Sequence, residues 1–444
     1  MSAQPANWID PFCPLLSDRI GVRPGDLPRP MNAAAARTAR ALEHFSAERL
    51  AGQPPALKDG EPACLEEALA AAAALISSWR QPLFGGLGTD VAGARALTRL
   101  AIRCGAIMDH AHGESMTQAL RALQDRGGFT CTLSEVRNRA DLILCIGVDP
   151  ATVSPDFFER CGIGEAVPAA PAQRQVVFLG ADGRPVAGDS AGPLLVQAAG
   201  VQVETLTLQT ALPVLLAELS AACGGRKLPR GGADWQALQA LARRLLDARY
   251  SVLVHSPAGL GGHGHAALLI EGIHRVVKTL NRTTRAAALS LGSGDGSATV
   301  AQAATWLTGL PLRTALHANG FEHDPYRFGA ERLLSNGAAD GLLWVSSFSP
   351  ELLPPPGEEP TPMVVLGHPA MAAGFRRGAP DPGGRRQQVP AVFIAVATPG
   401  VNAPGHLFRG DGGIVLALKP FTTSALPGVA DLAQRLLALL EKRS

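Results

Sequence analysis

Short, wholly apolar runs alternate along this chain with longer stretches of helical periodicity. Leu142-Ile143-Leu144-Cys145-Ile146 is apolar throughout and is followed by Gly147 and Pro150. Gln175–Gly180, Ser251–His255, Ala339–Val345 and Met363–Gly367 have the same character. Runs of this length, bounded by Gly and Pro, read as buried parallel strands, and the loop after such a strand faces a ligand crevice. Between them lie stretches with helical spacing: 31–50, 62–80, 91–104, 116–123, 212–223, 234–249, 266–280 and 430–442. Glu66 and Glu67 near the start of the second suit its dipole, and Asp90 is placed to cap the third. Val201–Leu208 alternates as a strand does. The alternation of strands and helices predicts an α/β protein with parallel sheets and Rossmann-like domains.

Composition narrows the function classes. At 444 residues there is room for two or three domains. With 46% hydrophobic and 18% charged residues the chain is globular, and the charge falls below the usual ~25%. A net charge of +2 and 5% aromatic residues give no footprint for nucleic acid or an acidic membrane. The N-terminus has no basic stretch followed by an apolar one, and the longest charge-free run, Gln387–Phe408, is broken by prolines and glycines. Seven cysteines at wide spacings suit a reduced, cytoplasmic protein.

Candidate chemistry concentrates between Gly105 and Pro155. A strand-like approach, Ala106–Asp109, ends in His110-Ala111-His112-Gly113-Glu114-Ser115, and Asn138-Arg139-Ala140-Asp141-Leu142 leads into the apolar run and Gly147-Val148-Asp149-Pro150. Pro82–Asp90 reads as strand, glycine-rich turn and helix start, a pattern that binds phosphate in some α/β units and is a plain tight turn in others. His263 and His265 lie two apart with no nearby carboxylate or thiol, which reads as a polar loop and not a metal site.

The order of these motifs resembles the molybdopterin-dependent formate dehydrogenase family, and within it the B subunit of formylmethanofuran dehydrogenase. In that family a Cys-His-Gly-Pro-Ser segment ligates molybdenum or tungsten, and the strand and loop Asn-x-Ala-Asp-Leu…Gly-x-Asn-Pro holds a pterin guanine dinucleotide. Ala111 stands at the ligand position, followed by His112. A methyl group cannot replace a thiolate. The family's iron–sulfur motif falls on Asp10, Cys13 and Ser17, of which only Cys13 is a cysteine, and one thiolate cannot hold a cluster that needs four. Gly147, Asp149 and Pro150, with Gly292 and Gly294 of the Leu291–Ala298 stretch, match the pterin loops. Arg282 or Arg285 matches an arginine that faces the family's metal.

The resemblance implies a molybdopterin oxidoreductase-like fold, formate dehydrogenase domains 1–3, without the C-terminal β-barrel domain. It implies an N-terminal segment 1–50 with the degenerate cluster motif, a discontinuous α/β domain of 51–108 and 251–444, and an inserted α/β domain of 109–250. With ligand and cluster residues both replaced, the expected role is non-redox, with no cofactor and no metal. Metal-free B subunits of this kind occur in the formyltransferase/hydrolase complex of bacterial one-carbon metabolism, beside a hydrolase (A), a formyltransferase (D) and a C subunit. Those are the implied partners in a hetero-oligomer. A working molybdenum or tungsten dehydrogenase is the alternative, and a generic α/β small-molecule binder a third. His112 itself reads either as an acid–base group or as a hydrogen-bonded residue at a turn.

Overall fold

The computed structural model describes residues 8–25, 27–31, 35–165, 170–186, 198–226, 232, 234–260, 265–357, 360–375 and 388–442. His263 lies outside them. The chain divides into two compact units. The first comprises Met1–Gly113, Gly294–Arg409 and Ile414–Ser444; the second comprises Glu114–Ser293 with Gly410–Gly413.

The first unit is built on a nine-stranded sheet. Its strands are β1 (Ala56–Lys58), β2 (Glu61–Pro62), β3 (Pro82–Gly88), β4 (Ile107–Met108) and, after the second unit in the chain, Thr314–His317, Gly320–His323, Gly341–Ser346, Met363–Gly367 and Val392–Ala395. Strands β4, β3, Gly341–Ser346, Met363–Gly367 and Val392–Ala395 run parallel at the centre, and an antiparallel hairpin closes each edge. Central strands covered on both faces must be apolar on both faces, and β3, Gly341–Ser346 and Met363–Gly367 are buried at every position.

Five helices belong to this unit's frame. Helix α1 (Ala36–Glu43) is shorter than the 31–50 stretch predicted, because Ser46 caps a separate turn, Ala47–Leu50, by accepting from the Arg49 amide. Helix α2 (Leu65–Ser78) starts in a capping box in which Cys64 and Glu67 satisfy each other's amides. Helix α3 (Val91–Cys104) is capped by the Asp90 carboxylate, as expected, and ends at Gly105 in the left-handed conformation. After the second unit the chain re-enters through Ser297–Thr308, and the last helix is Val429–Glu441.

The glycines before α3 serve packing and not phosphate. Pro82–Gly88 is one continuous strand, with no turn at Gly85-Gly86. A Cβ on Gly85 would lie 2.9 Å from the Trp344 ring, and one on Gly86 would lie 2.5 Å from the Val345 carbonyl oxygen. The glycines let the neighbouring strand bring its indole flat against the backbone, and Trp344 Nε1 donates to the Leu352 carbonyl at 2.8 Å.

The second unit has a five-stranded, all-parallel sheet. In chain order its strands are Leu142–Ile146, Arg174–Gly180, Val201–Thr207, Ser251–His255 and Ala286–Ser290. The chain moves outward from Leu142–Ile146 through the next two strands, then returns to lay Ser251–His255 on the other side of Leu142–Ile146. That reversal is a topological switch point. It also corrects the expected boundary. Residues 251–293 pair within this sheet, so the inserted unit ends at Ser293 and not at residue 250, and residues 1–50 cluster with the first unit and form no separate domain. Helices Leu212–Cys223, Trp235–Asp247 and Ala266–Leu280 cover the sheet through Leu216, Leu219, Leu241, Leu245, Ile270 and Ile273, all buried. Among the described residues no helix is long and apolar enough to cross a membrane.

Two aspartates set the strand starts. Asp141 accepts from the amides of Arg249 (2.8 Å) and Tyr250 (3.0 Å), just ahead of Ser251–His255. In the first unit Asp340 accepts from Arg80 (2.6 Å) and Gln81 (2.9 Å), just ahead of β3. Each carboxylate satisfies two amides that have no ladder partner at the sheet's N-terminal edge.

Gly86→Ala is expected to destabilise the chain by at least about 2 kcal/mol, because φ is +75° and the methyl meets a backbone oxygen that cannot turn away. Gly337→Ala, at φ +64° with nothing within 4 Å, isolates the backbone part and should cost about 1 kcal/mol. Urea midpoints of the two variants check the difference; equal losses would show that Trp344 packing does not constrain Gly86.

Candidate functional site

The metal-ligand position of the resembled family lies in the first unit, in the loop after β4. Backbone hydrogen bonds fix this loop. The Asp109 amide donates to the Phe84 carbonyl (3.0 Å), Ala111 to Gly86 (3.0 Å) and Gly113 to His110 (2.8 Å). Gly113 is required here, since a Cβ would fall 2.1 Å from Asp109 Oδ1. The Ala111 methyl packs against a core cluster that includes Ala330, Phe328 and Trp344.

Asp109 anchors the loop from below. It is buried, and accepts from the His110 amide at 3.0 Å and the Ala330 amide at 2.8 Å. Arg313 lies 3.4 Å from Oδ2 and donates to the Pro325 carbonyl at 2.7 Å. Burial pushes the Asp109 carboxyl up to about 6; the Arg313 charge and the two amides oppose that rise without cancelling it.

Above the loop, two histidines converge on Asp295. His112 Nε2 donates to Asp295 Oδ2 at 2.9 Å. His110 Nε2 lies 3.1 Å from the Asp295 carbonyl oxygen, and its Nδ1 accepts from the His112 amide at 3.0 Å. Because Nδ1 is an acceptor, the proton of His110 resides on Nε2 and is donated to Asp295. Burial lowers His110 to about 4, with His112 adding to the effect and Asp295 opposing it, so the ring is neutral. Burial alone would raise the Asp295 carboxyl, but the His112 hydrogen bond and the Arg37 charge hold it below the usual carboxylate range. Arg37 of α1 stands 3.8 Å from Oδ2.

The residues present do not fit a molybdenum or tungsten centre. The ligand position is a partly buried methyl group packed against the core, and the neighbouring imidazoles and carboxylate are committed to one another. The cluster position does not fit iron and sulfide either. Asp10, Cys13 and Ser17 come together in one buried turn, in which the Asp10 amide donates to the Ser17 carbonyl (2.8 Å) and Leu16 to Cys13 (2.9 Å). The Asp10 carboxylate accepts from the Phe12 amide (2.9 Å) and the Thr38 hydroxyl (2.5 Å), and Ser17 Oγ accepts from the Arg19 amide (3.4 Å). Phe12, Leu16 and Ile20 carry the turn into a core with Trp8, Leu42 and Phe348. Among the described residues no group of three or more His, Cys, Asp or Glu side chains converges as metal ligands do.

In the second unit Gly147, Asp149, Pro150 and Gly292 all follow the C-terminal ends of strands of the parallel sheet, the edge where α/β proteins bind ligands. Gly147 has φ +63° with open space where a Cβ would point. Asp149 caps the turn Pro150–Val153 through the Ala151 amide at 2.9 Å. A carboxylate here, where the resembled family has Asn, adds a negative charge that disfavours an anionic dinucleotide. Gly294 falls in the first unit, at φ +91°, and its missing side chain makes room for Arg37. Arg282 and Arg285 precede Ala286–Ser290 at the opposite, N-terminal edge and are exposed, so neither faces the crevice edge of its own sheet. His265 begins Ala266–Leu280 without capping it.

No protein-family model matches the chain. The B component of the Fhc formyltransferase/hydrolase complex of Methylorubrum extorquens is 28% identical over 388 residues, 86% of this chain and 96% of that protein. The chain is a relative of that Fhc component. The crystal structure of the Methylorubrum extorquens formyltransferase/hydrolase complex FhcABCD with methylofuran contains a chain that superposes with a TM-score of 0.68 at 27% identity, covering 87% of this chain and 99% of that one. The likeness to the Fhc complex that the motif order implied thus covers nearly the whole length and extends to the fold. Asp295 and Arg37 were not among the candidate residues, because Asp295 lies 183 residues from His112 in sequence. The one local signal was an aspartate between two glycines, all three at positive φ.

His110 gives a pH prediction. Its folded value of about 4 lies below the ordinary 6.5, so the unfolded chain binds a proton that the folded chain refuses between those values. The stability it contributes is present above pH 6.5 and is lost as pH falls toward 4. His110→Gln keeps a donor and an acceptor but does not titrate. Between pH 7 and pH 5 the wild type should lose about 2 kcal/mol more than the variant in urea unfolding; parallel losses would remove His110 from the account.

Proposed function

We propose that this chain is the non-redox B component of a formyltransferase/hydrolase complex in one-carbon metabolism. In that reading it serves as a scaffold for hydrolase (A), formyltransferase (D) and C subunits in the cytoplasm. Together these subunits convert formyl-tetrahydromethanopterin to formate by way of a methanofuran-like carrier. The observation that carries the reading is the near-full-length likeness to the Fhc relative, whose name places it in such a complex. A fold of the molybdopterin oxidoreductase type is the reading that the motif order, the all-parallel sheet of the second unit and the parallel centre of the first unit's sheet support.

The site chemistry supports a role without redox work. Ala111 offers no lone pair, Asp10 and Ser17 spend their oxygens on amides and a hydroxyl, and Asp149 repels an anion. What the family uses to hold metal, cluster and pterin is used in this chain to hold loops. His112 takes the structural role of its two readings, as donor to Asp295. Nothing favours the dehydrogenase alternative.

Elemental analysis of the anaerobically purified complex should find no stoichiometric molybdenum, tungsten or iron in this chain, and Ala111→Cys should not recruit them, because one thiolate leaves the His112–Asp295 pair and the Asp10 turn in place. Stoichiometric tungsten or molybdenum in either protein would overturn the non-redox reading; zinc from the hydrolytic partner does not bear on it. Tagged and co-expressed with the hydrolase and formyltransferase subunits, the chain should elute with both. Elution as a monomer free of them would refute the scaffold assignment.

A further inference from the structure

Helix α1 has two faces with different fates. Thr38 and Leu42 are buried in the core of the first unit. Arg37, Arg40 and Ala41, with His44 at the helix end, follow the spacing i, i+3, i+4, i+7 and line a cavity of 590 Å³. That volume lies in the range of small-molecule sites. The basic stripe of the helix therefore faces a concave surface. The other walls are largely apolar, formed by Phe12, Phe348 and Leu352.

The charges in the cavity are unequally committed. Asp295 already receives His112 at 2.9 Å, with Arg37 at 3.8 Å. Glu351 is held by His44: Arg49 donates to His44 Nδ1 at 2.9 Å, so the ring proton sits on Nε2, which faces Glu351 Oε1 at 3.4 Å. Burial and the Arg49 charge keep His44 below its ordinary value, so it adds no positive charge. Arg40 makes no ion pair among the described residues; it is exposed and lines the cavity. Arg37 is placed by the backbone, since a Cβ on Gly294 would lie 2.2 Å from its Nη2. Arg37 already faces Asp295, so Arg40, one turn on, is the arginine of this stripe without an ion pair among the described residues, and an anion seated on it meets a planar donor fork.

We propose that this cavity binds a small organic anion, with a carboxylate or phosphate head on Arg40 and Arg37 and an apolar body against Phe12, Phe348 and Leu352. The cavity is built by α1 and its facing walls alone, whether or not the chain serves as a scaffold. The apolar walls favour an aromatic or aliphatic body over a bare inorganic ion. The exposed carboxylate of Glu351 disfavours a ligand carrying several negative charges.

Isothermal titration of the full chain, in the complex with which it purifies, tests this with phenyl phosphate, benzoate, phenol and inorganic phosphate. Phenyl phosphate or benzoate should bind, the tighter of the two naming the head group. Phenol should give no heat, and inorganic phosphate should bind at least about tenfold more weakly than phenyl phosphate, as the lost apolar contact requires. Arg40→Ala should weaken the bound probe about tenfold or more, the loss of a hydrogen bond to a charged group. Ala41→Trp, which fills the cavity without touching a charge, should abolish binding. Sites on partner subunits do not respond to either substitution, so the difference between wild-type and variant complexes isolates this cavity. Binding of phenol as tight as that of phenyl phosphate would overturn the proposal. So would phenyl phosphate and benzoate isotherms unchanged by both variants.

Discussion

A carboxylate that is taken out of water stays ionised only where donors replace the water it gave up. Asp295 meets that condition through His112 and Arg37, and much of the first unit's site follows from it. His112 must turn its Nε2 proton to the carboxylate. Its amide then points at His110 Nδ1, which fixes the second imidazole's tautomer and aims its own proton at the Asp295 carbonyl. The loop His110–Gly113 is thereby held from above by Asp295 and from below by Asp109. Ala111, midway along it, is partly buried and packs against the core. In a metalloenzyme that position would carry the ligand; here the surrounding donors and acceptors are used up within the loop.

The N-terminal segment shows the same reuse. Asp10 and Ser17 occupy positions where the resembled family has cysteines, and their oxygens close a tight turn and tie it to α1 through Thr38. Losing the thiolates removes strong metal bonds, which in a small segment contribute folding energy directly. The buried aromatic and aliphatic side chains around Phe12, Leu16 and Ile20 take over that task. The segment is thus organised by ordinary packing.

Much of the fold was legible in the sequence. A run such as Leu142–Ile146, buried on both faces, has to be apolar at every position, and helices 91–104, 212–223 and 266–280 carried their period in plain view. Ser46 and its separate turn were hidden inside an alanine-rich stretch that helical propensity alone would have continued. The site was legible in its losses, since an alanine cannot ligate a metal wherever it sits. It was not legible in its replacements, because Asp295 and Arg37 reach the His110–His112 loop from distant parts of the chain.

The sequence by itself determined the class of fold, the positions of the main strands and helices, and which residues could not hold metal or cluster. These follow from local periodicity and from the chemistry of single side chains. Only the tertiary structure decided that Ser251–His255 returns beside Leu142–Ile146, which moves the unit boundary to Ser293. It also decided that Gly85 and Gly86 seat the Trp344 ring, and that Asp141 and Asp340 serve amides ahead of neighbouring strands. Strand order and long-range pairing are set by which surfaces can be buried together, and that information is shared among residues far apart in sequence and carried by none of them alone.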